Sequence, residues 1–315
     1  VREYTEHIPV MLDEVVSYMS PKDGELYIDG TFGAGGYSRA LLEAANCKII
    51  AIDRDPNVKK IAEDLQKEFP GRIEFCLGKF SDVKQILSKI GISKVDGFVL
   101  DVGVSSMQID QAERGFSFMK DGPLDMRMGE GNVDAGYLVN NTEEKQLANI
   151  IYKYSGEKRS RQIASAIVRA RQESPITTTK ELADIIKTVV RVAKDKIDPC
   201  TRTFQAIRIW VNDELTELEE ALDSSEIILA EKGRLVVVTF HSLEDSIVKH
   251  YINNKSGKIP GASRHVIIAN TNNVKPSFAP IAKKAVKPTD KEINFNIRSR
   301  SAKLRAAIRL SAGGN

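Results

Sequence analysis

The chain has 315 residues, enough for one large or two modest domains, and its 42% hydrophobic and 28% charged residues support a packed core in a soluble protein. No apolar run approaches the length of a membrane span, and the first residues, VREYTEHIPVMLDEVV, lack the apolar stretch of a secretion signal, so export is not expected. The formal net charge of +3 hides a polarity: residues 246–315 hold 14 Lys or Arg against 2 Asp or Glu, a net of +12, and the rest of the chain carries −9, so the basic end is expected to meet a polyanion.

The first hundred residues alternate between strand and helix patterns. LYIDG (26–30), KIIAID (48–53), RIEFCLG (72–78) and VDGFVLDVG (95–103) are short, apolar and rich in Ile, Val, Phe or Leu. Helical runs lie between them at 37–45, 56–69 and 83–90. This repetition predicts a parallel sheet with helices on both faces. A cluster of glycines, Gly30, Gly33, Gly35 and Gly36, follows the first strand, where doubly wound sheets place a ligand.

The next buried-strand pattern, GRLVVVTF at 233–240, comes about 130 residues after the strand that ends near Asp101. The intervening residues read as helices at 143–154, 158–172, 179–193 and 202–223. The last carries Ile207, Val211, Leu215, Leu218 and Leu222 on one stripe, and TTTKELAD (177–184) opens its helix as a capping box does. A small all-helical domain inserted at 108–212 is therefore expected, with the sheet domain divided into 1–107 and 213–315. Residues 256–289 read as a long loop or ragged hairpin, and AKLRAAIRL (302–310) as an edge strand or a closing helix.

Three ligands compete for the glycine turn. An ATP loop needs Lys-Ser or Lys-Thr after its glycines, and none follows here. A dinucleotide fingerprint read from Gly33 gives GAGGYS, with Ser38 where the third glycine belongs. Asp29, just before the turn, would repel a pyrophosphate and attract an ammonium or a sulfonium. Asp53, 20 residues past Gly33, suits the two hydroxyls of a ribose, and Asp101 adds a third acid at the same sheet edge. Three acids without a lysine favour S-adenosylmethionine over NAD, although strand-end aspartates also serve as helix caps. Cys47, Cys76 and Cys200 are scattered and the four histidines have no ligand spacing, so no metal site is expected.

Longer strings are more specific: HIPVMLDEV (7–15), DGTFGAGG (29–36), DVGVSSMQIDQAERGFSFMKDGPLDMRM (101–128), TRTFQAIRIWVNDEL (201–215), FHSLED (240–245) and RSRSAKLR (298–305). Together they cover nearly the whole chain and resemble the RsmH (MraW) family. That resemblance implies a Rossmann-like class I methyltransferase sheet domain with an inserted helical domain. It also implies a cytoplasmic bacterial enzyme that uses S-adenosylmethionine to methylate N4 of a cytidine in the decoding centre of 16S ribosomal RNA. The implied cofactor group is Gly33, Gly35, Gly36, Tyr37, Asp53, Phe80, Asp101 and Gln108, with Asp29 added from its place before the turn. Many members carry histidine where Tyr37 stands, so a chemical role for that side chain is not expected here.

Candidates for the chemistry are Asp101, Asp125, Arg127 and His241; salt-bridge or loop duty is the competing reading for the last three. Candidates for holding RNA are Lys158, Arg159, Arg161, Arg169 and Arg171 on inserted helices, and Arg298, Arg300, Lys303 and Arg305 in the basic end. The expected partner is the small ribosomal subunit, and a homodimer is a further candidate assembly. Methylation of another RNA, of DNA or of a small molecule, and a non-catalytic role in ribosome assembly, stay open beside this reading.

Overall fold

The computed structural model describes residues 9–131, 133–190, 198–257 and 275–311. They divide into two compact units, one formed by Val1–Gly103 with Leu215–Asn315 and the other by Val104–Glu214. The sequence predicts the insertion at 108–212, and the helical unit spans Val104–Glu214.

The first unit is built on a seven-stranded sheet: β1 (Leu26–Asp29), β2 (Lys48–Asp53), β3 (Ile73–Leu77), β4 (Val95–Asp101), β5 (Leu229–Thr239), β6 (Phe278–Pro280) and β7 (Lys303–Arg309). The strand order is β3-β2-β1-β4-β5-β7-β6. β1 to β5 run parallel, whereas β7 runs antiparallel to both β5 and β6. The order reverses between β1 and β4, so the carboxyl ends of these two strands flank the crevice in which doubly wound folds bind ligands. Near-continuous apolar runs are needed because a parallel sheet is covered on both faces. Ile28, Ile50, Ile52, Phe98, Leu100 and Val237 form a buried cluster. Leu218 and Leu222 of α11 (Glu214–Ile228) and Val248 and Ile252 of α12 (Ser242–Lys255) belong to the same cluster. α1 (Leu12–Met19) brings Met19 close to β4: a Cβ added at Gly97 would lie 2.6 Å from the Met19 methyl and from the Tyr27 ring.

The second unit is helical. Its principal elements are α7 (Glu144–Ser155), α8 (Ser160–Glu173), α9 (Thr179–Val189) and α10 (Cys200–Asn212). Leu147 and Ile151, Ile163 and Ile167, Leu182 and Ile186, and Phe204 and Ile207 repeat at three or four residues, which turns one face of each helix into a shared core. Thr178 and Glu181 form a capping box at the start of α9, as the sequence predicts. The last few residues of that predicted helix, from 191, lie outside the described residues.

Two readings are revised. The helix expected over 202–223 is two helices, α10 and α11, broken at Asp213, whose backbone is left-handed with φ 51° and whose N–H donates to the carbonyls of Ile209 and Trp210. The stripe from Ile207 to Leu222 therefore divides, with Ile207 in the helical core and Leu218 and Leu222 in the sheet core. AKLRAAIRL supplies β7, an interior strand, and the described part of 256–289 supplies the edge strand β6. Of that predicted loop, 258–274 lies outside the described residues.

Candidate active site

The glycine turn joins β1 to α2 (Gly36–Ala44) and is held by carboxylates. Gly33 and Gly35 have φ of 50° and 75°, values that side-chain-bearing residues seldom adopt. The Gly33 N–H donates to Asp53 Oδ2 at 2.7 Å and the Asp55 N–H to Asp53 Oδ1 at 2.8 Å. Asp53 thus ties the turn to the end of β2 and keeps lone pairs for further donors. Burial pushes its carboxyl up from the usual range.

Asp29 lies under the turn, 1% exposed. Its Oδ2 accepts from the Ser38 hydroxyl at 2.7 Å, and its Oδ1 accepts from the Thr31 N–H at 3.2 Å. Burial pushes its carboxyl up to about 6, against these two bonds and with the neighbouring Asp53 adding to the rise. Ser38 is the residue that interrupts the dinucleotide fingerprint. The hydroxyl that replaces the expected glycine is the donor that Asp29 requires once it is out of water.

Asp101 closes β4 beside these two. Its N–H donates to Thr31 Oγ1 at 2.7 Å, and its Oδ1 is buried without a hydrogen-bond partner. Burial, followed by the charges of Asp29 and Glu244, holds its carboxyl well above the usual range. An unpartnered buried oxygen among two further acids suits a cationic ligand and disfavours a pyrophosphate. This donor set fits an aminoacyl-sulfonium nucleoside: carboxyl groups for the cations and hydroxyls, and a glycine backbone open to close approach. Phe80 begins a 3-10 turn (Phe80–Asp82) after β3, half-buried, with its Cβ 3.2 Å from where a Gly30 Cβ would stand.

Tyr37 is buried, and its hydroxyl donates to the Val10 carbonyl at 2.5 Å. Its side chain is thereby committed to the segment before α1, which leaves the backbone as its means of meeting a ligand. A Cβ at Gly36 would fall 2.1 Å from Pro9 Cγ, so the same segment presses directly on the turn. His241 caps α12: its Nδ1 accepts from the Glu244 N–H at 3.4 Å, and Glu244 Oε2 accepts from the N–H groups of Phe240 and His241 at 2.8 and 3.1 Å. His241 Nε2 lies 2.9 Å from Glu244 Oε1 without the angles of a hydrogen bond.

In the helical unit, Gln108 is buried and completes a capping box with Ser105, its Oε1 accepting from the Ser105 N–H at 3.1 Å. Asp125 and Arg127 pair through two parallel bonds, Nε to Oδ1 at 2.8 Å and Nη2 to Oδ2 at 2.7 Å, and Arg127 Nη1 also donates to the Gly131 carbonyl. Burial raises the Asp125 carboxyl, but the bonds from Arg127 outweigh it and hold the group below the usual range. The left-handed Met126 between them, φ 62°, lets one guanidinium reach both oxygens.

The basic candidates separate by what they hold. Arg159 and Arg171 donate to the carbonyls of Val189 and Val139, at 2.6 and 2.7 Å. Lys303 and Arg305 clasp Asp245 at 3.0 and 2.7 Å and hold its carboxyl below the usual range despite its partial burial. Lys158, Arg161, Arg169, Arg298 and Arg300 are exposed. Sequence reasoning missed the roles of Ser38 and Thr31: the first had a signal, a polar residue in place of the third glycine, and the second accepts from the Asp101 N–H, a tertiary contact that no spacing announces. Glu244 belongs to the polar FHSLED string and closes a local capping box with His241.

The model of the MraW methylase family matches residues 4–310 of this chain. A Rhodospirillum rubrum protein named ribosomal RNA small subunit methyltransferase H is 55% identical over 308 residues, covering 97% of this chain and 94% of that protein. Proteins of the same name from Parvibaculum lavamentivorans and Ehrlichia chaffeensis are 52% and 49% identical, covering 97% and 96% of this chain and 90% and 100% of their own lengths.

Proposed function

The chain belongs to the MraW methylase family, and on that premise we propose that it transfers a methyl group from S-adenosylmethionine to N4 of a cytidine in the decoding centre of 16S ribosomal RNA. The observation that carries the reading is the group of three carboxyls, Asp29 buried and Asp53 and Asp101 partly buried, around a left-handed glycine turn at the point where the strand order reverses. The relatives' shared name supplies the substrate class, a ribosomal RNA of the small subunit.

The cofactor supplies a methyl group on a positively charged sulfur. Asp53 would accept from its ribose, Asp101 would meet its cationic part, and Asp29, buried under the turn, would add negative charge beneath it. Gly33 and Gly35 allow the backbone to come close, as does the amide of Tyr37, and Phe80 offers a face to the base. Asp101 is the group we assign to the amine. Burial and the charges of Asp29 and Glu244 raise its carboxyl well above the usual range. A cation beside it would favour the ionised form, and Oδ1 would then accept the proton that nitrogen sheds as it bonds to the methyl carbon and the carbon–sulfur bond breaks. Asp125 and Arg127 set the loop that contains them, and His241 holds the start of α12; each then acts on placement rather than on the proton. Lys158, Arg161 and Arg169 provide exposed cations for phosphates, with affinity that falls steeply as salt rises. No helix among the described residues is long and apolar enough to cross a membrane, and we assign the protein to the cytoplasm, where its substrate is made.

The test is to incubate purified protein with labelled S-adenosylmethionine and unmodified small subunits, and to map the modified nucleotide. Label on N4 of one cytidine is expected. Cofactor binding without any cytidine methylation would overturn the assignment.

A further inference from the structure

Two large apolar side chains stand in solvent within the basic end of the sheet unit: Phe295 is 71% exposed and Ile297 is 65% exposed. They flank Asn296, where α13 (Asp290–Phe295) ends and a 3-10 turn (Ile297–Ser301) begins. The backbone beneath them is pinned at several points. Asn296 donates its N–H to the Glu292 carbonyl at 2.6 Å, and its Oδ1 accepts from the Arg298 N–H at 3.2 Å. Ser299 is fully buried, and its hydroxyl returns to the Asn296 carbonyl at 2.8 Å. Glu292 Oε1 accepts from the Met11 N–H at 2.6 Å, and the Thr289 hydroxyl caps the start of α13. An aromatic ring held in water on a fixed backbone carries an uncompensated solvation cost, and a backbone already pinned loses little freedom when a partner covers the ring.

The charges that follow the ring favour a polyanion. Arg298 and Arg300 are exposed in the turn after it, while Lys291 before it stands between the acids Asp290 and Glu292. An exposed aromatic ring followed within five residues by two exposed arginines is the combination single-stranded nucleic acid uses: a platform for a base and cations for the adjoining phosphates.

We propose that Phe295 is a stacking platform for an unpaired base of the RNA substrate, with Arg298 and Arg300 on the phosphates beside that base and Ile297 covering the edge of the stack. This rests on the RNA reading above and adds a specific contact on the C-terminal segment, outside the residues assigned to the cofactor.

Binding is measured with fluorescently labelled single-stranded RNA and with unmodified small ribosomal subunits. Phe295→Ala should weaken both about tenfold, the size of one lost base stack, and Phe295→Tyr should restore most of it. Changing Arg298 and Arg300 together to Gln should reduce the slope of log affinity against log salt by about two. As a direct readout, Phe295→Trp in a Trp210→Phe background places the chain's single tryptophan on the platform, and its emission should be quenched when RNA is added. Unchanged affinity in Phe295→Ala, or no quenching while RNA binds, overturns the proposal. So does concentration-dependent self-association in the absence of RNA that Phe295→Ala abolishes, because the ring would then serve a second copy of the chain. If the wild-type protein binds RNA through Phe295 but transfers no methyl group, the function proposed above fails and this contact stands; if it methylates and Phe295 makes no difference, the reverse holds.

Discussion

Asp29 concentrates the site's electrostatics in one side chain. It is buried, holds two hydrogen bonds, and keeps its proton up to a pH of about 6. The sign of its effect on stability follows. Between the ordinary carboxyl value near 4 and its raised value, the folded protein holds a proton that the unfolded chain has already released, so stability falls as pH rises through this window and is level above it. The fall from this one group is on the order of 3 kcal/mol. Asp101 pulls in the same direction for the same reason, burial. Asp29→Asn should therefore flatten part of the decline in melting temperature between pH 4 and 6, while Ser38 keeps an acceptor; a slope equal to that of the wild type would remove Asp29 from this role. At this scale the sequence was informative about which residues meet at the sheet edge and silent about what they do there. Nothing in the sequence shows that Tyr37 turns to Val10, a choice of partner made across the fold. The Gln108–Ser105 capping box and the Arg127–Asp125 pair are local, and the salt bridge is one of the two readings the sequence offers for Asp125 and Arg127.

At the scale of elements, β1, its turn and α2 behave as one device. Gly30 is the joint. A Cβ there would lie 2.6 Å from Leu100 Cδ2 and 2.8 Å from the Phe98 ring, both buried in the sheet core. Gly30→Ala should destabilise the protein by about 1–3 kcal/mol through overpacking, read as a lower urea midpoint, with cofactor affinity falling as β1 is displaced from β4. A midpoint equal to the wild type would mean that the strands yield without cost. The strands were legible because a covered parallel sheet demands unbroken apolar runs, and the insertion because such a sheet leaves a gap in the chain that only another folded unit can fill. The break at Asp213 was not legible. A left-handed residue that is not glycine leaves no mark in the pattern, and the stripe from Ile207 to Leu222 runs across it in phase. The place of β7 was also hidden, since alternating basic and apolar residues suit an edge strand, whereas here Asp245 absorbs Lys303 and Arg305 on one face.

The whole molecule is assembled out of sequence order. β4 and β5 are neighbours in the sheet although the entire helical unit separates them in the chain, and β5 then pairs on its other side with β7, from Arg234 opposite Ile308 to Thr239 opposite Lys303. Helix contacts within 104–214 are local and form quickly; the sheet must wait for distant partners. A chain stopped at residue 302 should keep β1 to β5 but expose the edge of β5 that β7 covers, and light scattering should show it aggregating where the full chain does not.

The same pairing bears on how the protein is born. The apolar core of β5, VVVT at 236–239, emerges about 60 residues before the strand that will cover its flank. For that interval a nascent chain carries an unpaired apolar edge, the template on which strands of separate chains join. While a ribosome makes this protein, a chaperone or the delay before the last strand emerges decides whether a given copy matures or is lost to its neighbours.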